Sequence, residues 1–64
     1  MTNLQKEICN EIRDRFPSLR DKADRVIIRY TEVYLYAWEK ICNKGMTISQ
    51  AVQSFINENE MHNV

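Results

Sequence analysis

The sequence predicts an all-α fold: a small three-helix bundle with a long central helix, the helices spanning about 3–15, 19–43 and 47–58. Three observations carry this reading. Apolar residues return every three or four positions along most of the chain. A Ser or Thr stands three residues before Gln or Asp at each expected helix start: Thr2–Gln5, Ser18–Asp21 and Thr47–Gln50. The breakers are confined to Pro17 and the Asn43-Lys44-Gly45 step. With one Gly and one Pro in 64 residues, no segment reads as a linker, so residues 1–64 are expected to form a single domain.

The first helix is read from its cap and its stripe. Thr2 and Gln5 fit a capping box, and Leu4, Ile8, Ile12 and Phe16 align at four-residue intervals, with Cys9 widening the apolar face. Pro17 disfavours helical geometry at Phe16 and has no amide proton, so the helix should end there.

The second helix is expected to restart at once, with Ser18 and Asp21 as its box. Val26-Ile27-Ile28 and the run from Val33 to Trp38 contain strand-formers, but the polar residues Arg25, Arg29, Glu32, Tyr36 and Lys40 return with a helical period. On a helical wheel the core face holds Leu19, Ala23, Val26, Ile27, Tyr30, Val33, Tyr34, Ala37, Trp38 and Ile41. The turn after it has its own logic: Gly45 takes a left-handed conformation cheaply and lets Met46 fold back on Ile41. Thr47 and Gln50 then cap the third helix, whose apolar face is Ile48, Ala51, Val52, Phe55 and Ile56. The tail, about 59–64, is expected to fray.

Composition excludes most chemistry. One Gly leaves no Gly-rich phosphate loop, and the one histidine, His62, lies near the expected tail, so no catalytic, cofactor or metal site is expected. Thr2, Ser18 and Thr47 are explained as caps, not nucleophiles. Cys9 and Cys42 belong to no CxxC pair and read as two buried, reduced thiols. No stretch approaches the roughly 18 apolar residues of a membrane span. The start, Met1 to Glu7, lacks a signal-type apolar region, so the expected location is cytoplasmic.

What remains is binding. At this size folding hides only about 60% of the unfolded chain's surface, which favours a partner that completes the core. Ile28, Leu35 and Cys42 recur every seven residues beside the core face, the spacing of a helix–helix seam. They are the expected contacts for a protein partner, including a second copy of the chain as a homodimer. Trp38 is the expected aromatic anchor, and Tyr36 stands alone on the polar side as a second one. Lys22, Arg25, Arg29 and Lys40 make a basic stripe, with Asp21–Arg25 and Arg29–Glu32 at ion-pair spacing.

The alternative reading is a helix-turn-helix DNA-binding regulator using the second and third helices. Thr47, Ser49, Gln50, Gln53 and Ser54 would then face bases or phosphates. The zero net charge and the absence of Lys or Arg from Thr47 to Asn57 argue against a nucleic-acid partner.

Overall fold

The structure, a computed structural model, describes residues 2–62. It is all-helical among those residues: α1 runs Asn3–Arg15, α2 Asp24–Tyr30, α3 Glu32–Lys44 and α4 Ile48–His62, with a 3-10 turn at Pro17–Leu19 after α1. α3 and α4 pack as a hairpin, α1 lies across both, and short α2 bridges α1 and α3.

α1 forms as its sequence dictates. The Thr2 hydroxyl accepts from the Gln5 amide at 3.2 Å, and the Gln5 carboxamide accepts from the Thr2 amide at 2.9 Å, which satisfies two donors the first turn would leave open. The helix ends before Pro17, with Phe16 extended at φ −122° and its amide bonded to the Ile12 carbonyl. Ile8, Cys9 and Ile12 are fully buried, and Leu4 and Phe16 pack at the edge of the same core.

The predicted helix over 19–43 is divided, and this is the main correction. Ser18 and Asp21 form no capping box. Instead Leu19, Arg20 and Lys22 each bond three residues back, and Ala23 is extended at φ −71°, ψ 156°. The cause lies on α1. Arg13 donates from Nε to the Lys22 carbonyl at 3.0 Å and its guanidinium pairs with the Asp24 carboxylate. One arginine therefore grips the chain on both sides of Ala23, and α2 begins at the second gripped residue, Asp24.

The second division is at Thr31, extended at φ −117°, ψ 138°. Its hydroxyl donates to the Ile27 carbonyl at 2.6 Å, the last turn of α2, and accepts from the Tyr34 amide at 3.4 Å, the first turn of α3. One side chain thus closes one helix and caps the next. The break changes which residues reach the core. Ile27, Val33, Tyr34 and Ala37 are buried as expected, but Ala23 is exposed and Tyr30 is 77% exposed. Thr31→Ala is expected to cost about 1 kcal/mol, the worth of a lost N-cap. In a chain of this size that lowers Tm by about 4–8 °C in a circular dichroism melt, with Thr31→Ser recovering most of it.

The second connection follows its local chemistry. Gly45 is left-handed at φ 68°, ψ 21°, and both its amide and that of Met46 converge on the Lys40 carbonyl. A Cβ added at Gly45 would meet nothing within 4 Å, so only the backbone conformation requires glycine there. Thr47 and Gln50 form the reciprocal box that starts α4, both bonds at 3.1 Å. Ala51 and Val52 are fully buried, with Ile48, Phe55 and Ile56 around them. The segment expected to fray from 59 is helical through His62, and residues 63–64 lie outside the described residues.

Candidate interaction surface

The sevenfold row Ile28–Leu35–Cys42 does not survive as one seam, because Thr31 separates Ile28 from the other two. Ile28, on α2, is half-buried and packs against the core. Leu35 and Cys42, on α3, are exposed, Leu35 at 61%. Cys42 is therefore not the buried thiol the sequence suggested; Cys9 alone is, with its Sγ 3.8 Å from the Asp24 carbonyl.

Burial pushes the Cys9 thiol above its ordinary range; the Asp24 carboxylate adds to this and the Arg13 guanidinium opposes it.

On α3 the exposed positions Glu32, Leu35, Glu39 and Cys42 follow at intervals of three, four and three, so they share one face. Trp38 lies at the border of that face and the core, half-buried and stacked on Tyr34 with ring centroids 6.1 Å apart and planes at 18°. The stack fixes the orientation of the indole.

Tyr36 makes contacts within the chain that its sequence position did not suggest. It lies against α4, with the Phe55 ring edge-on at 5.4 Å and its hydroxyl donating to the Glu58 carboxylate. Lys40 Nζ stands 5.2 Å over the same ring. Tyr36 therefore ties α3 to α4, with Lys40 covering its ring from the same helix, on another side of α3 from Leu35. Glu58 holds the phenolic proton, so the Tyr36 hydroxyl is pushed above its ordinary range, with desolvation a lesser cause.

The basic stripe is also redistributed. Lys22 sits in the turn before α2, Arg25 and Arg29 lie one turn apart on α2, and Lys40 faces Tyr36. Arg25 and Arg29 remain together, both exposed, and with Val26 and Tyr30 they line an open cleft. The expected pairs Asp21–Arg25 and Arg29–Glu32 are not formed, since the chain leaves helical register at Ala23 and Thr31. Among the described residues the ion pairs are Arg13–Asp24 and Arg15–Glu11.

Four of the five polar side chains proposed to read DNA, Thr47, Ser49, Gln50 and Gln53, have hydrogen-bond partners within the chain. Thr47 and Gln50 cap α4. Arg15 of α1 donates to Gln53 and, at 3.4 Å, to Ser49. Gln53 also donates to Asn57 at 2.9 Å. Among the described residues no helix is long and apolar enough to cross a membrane.

Two exposed residues stand out that the sequence did not single out as a pair, Tyr30 and Leu35, large hydrophobic side chains left open to solvent among the described residues. Tyr30 was placed on the core face because the wheel ran unbroken through position 31. The signal that bore on it was Thr31 itself, a preferred N-cap residue inside an unusually long predicted helix. No family model, curated protein or solved structure matches this chain.

Proposed function

We propose that this protein is a non-enzymatic protein-interaction module, an adaptor, inhibitor or regulator that docks through the exposed face of α3. Leu35 is the centre of the docking face, with Trp38 and Cys42 beside it. The observation that carries this reading is Leu35, 61% exposed in the middle of a helix whose other face is core. A leucine at that place adds nothing to the fold's interior, and a docking partner that covers it recovers its burial free energy. The half-buried Trp38 beside it is of the residue type most often found as an interface anchor. Two unpaired cysteines suit a reducing compartment, so the cytoplasm is the proposed setting.

The test is a photo-crosslinking amino acid placed at position 35 in cells, with the same group at exposed Asn10 on α1 as control. A discrete protein adduct from position 35 and not from position 10 is expected, and Trp38→Ala should reduce its yield. Equal labelling from both positions, or none from either, would overturn the proposal.

A further inference from the structure

The exposed faces of α2 and α3 are complementary to each other in charge, and each carries an exposed apolar side chain. α2 displays two arginines one turn apart, Arg25 and Arg29, flanking an open cleft walled by Val26 and the 77% exposed Tyr30. α3 displays the reverse: a projecting Leu35 flanked by Glu32 and Glu39, all three exposed. None of these four charges has an ion-pair partner among the described residues. Neither set meets the other within the chain, because the extended Thr31 turns the end of α2 away from helical register with α3.

We propose that a second copy of this chain occupies this surface, Leu35 of each copy entering the other's Val26–Tyr30 cleft while Glu32 and Glu39 meet Arg25 and Arg29. This deepens the reading above, on which it rests, by naming the partner. A pairing of this kind is isologous: each subunit offers the cleft and the projection once, so a two-fold dimer makes both contacts and leaves neither patch over. Along α2, Arg25 and Arg29 are about 6 Å apart, and along α3 Glu32 and Glu39 are about 10 Å apart. Arginine's long side chain spans that difference and binds carboxylates in a bidentate fork. The need is also physical, since a 64-residue chain leaves Tyr30 and Leu35 in water and a second copy supplies what covers them.

A charge swap tests it. Arg25→Glu/Arg29→Glu is one variant, and Glu32→Arg/Glu39→Arg is the other; wild type, each variant and their equal mixture are weighed by light scattering after size exclusion. The wild type is expected to approach twice 7.7 kDa as concentration rises. Each variant alone should stay monomeric, because like charges then face each other in both contacts. The mixture should recover the dimer mass, since every contact again joins opposite charges, and a merely structural effect of the substitutions would not be rescued by mixing. Far-UV circular dichroism checks that each variant folds. If either does not, salt decides on the wild type alone: dimer dissociation should strengthen at least about tenfold between ~0.05 and ~0.5 M NaCl. A wild type that is monomeric at every concentration overturns the proposal, as do variants that dimerise like the wild type, a folded pair that fails to recover on mixing, or a salt-independent dimer. The crosslink from position 35 separates the two levels. An adduct to a different protein with a monomeric wild type sinks self-association and leaves the docking role of α3 standing, whereas no adduct and no dimer sinks both.

Discussion

Replacing Ile12 by alanine is expected to leave most of the chain unfolded at 25 °C. Ile12 is fully buried on α1, the helix that lies across α3 and α4. Cutting a buried isoleucine to alanine costs about 2–5 kcal/mol, the lost transfer energy plus the cavity left behind. A single core in a domain below about 70 residues rarely supplies more than ~3–5 kcal/mol in all. The two ranges overlap, and a loss in the upper part of the first removes the whole margin. Urea denaturation followed by circular dichroism checks this. The wild type should show a cooperative transition and Ile12→Ala no folded baseline, while Ile12→Val, at about 0.5–1.5 kcal/mol, remains folded. A folded Ile12→Ala with its midpoint barely moved would mean that α1 is not held by this core.

The two cysteines are expected to differ in reactivity by at least about 100-fold. Cys42 is exposed and should react with Ellman's reagent like a free thiol in solution; Cys9 has no exposed surface and reacts only when the fold opens. An opening free energy of ~3 kcal/mol alone slows a reaction by slightly more than ~100-fold. The expected trace is one thiol at once and one slowly, with urea merging the two phases. Two fast thiols in native buffer would place Cys9 outside the core.

The same thiol makes stability fall in alkali. Burial first, and Asp24 second, raise the Cys9 pKa above the ordinary range of a thiol. The folded state thus holds the proton more tightly than the unfolded one. Its contribution is complete below the unfolded value and is lost as pH climbs through the raised folded value. Tyr34, raised chiefly by burial, and Tyr36, raised chiefly by its bond to Glu58, act in the same direction above pH 10. Urea midpoints measured from pH 8 upward should therefore fall, and Cys9→Ala, with no proton to lose, should fall less steeply through the first part of that range.

Most of the architecture was legible because it is written in local chemistry. The Thr2–Gln5 and Thr47–Gln50 boxes, the stop before Pro17 and the left-handed Gly45 each depend on residues within a few positions of one another, and each formed as read. The apolar stripes of α1 and α4 also went where their spacing pointed, because each helix has one apolar face and no break inside it.

The central segment obeyed a different kind of cause. Nothing near Ala23 forbids a helix; Arg13, ten positions earlier, holds the Lys22 carbonyl and the Asp24 carboxylate and keeps the chain extended between them. Thr31 carries a weak local preference to cap, and that preference takes effect with α2 turned against α1 and α3 paired with α4. Each such break resets the phase of the helical wheel, so every assignment built on continuous periodicity past it shifts. Ala23 and Tyr30 moved from core to surface, Ile28 parted from Leu35 and Cys42, and Tyr36 turned to Phe55. Periodicity therefore determines which residues within one helix share a face, a matter of fixed rotation per residue. Where helices stop against one another, and so which faces remain for a partner, is set by side chains distant in sequence that meet only once the chain has folded.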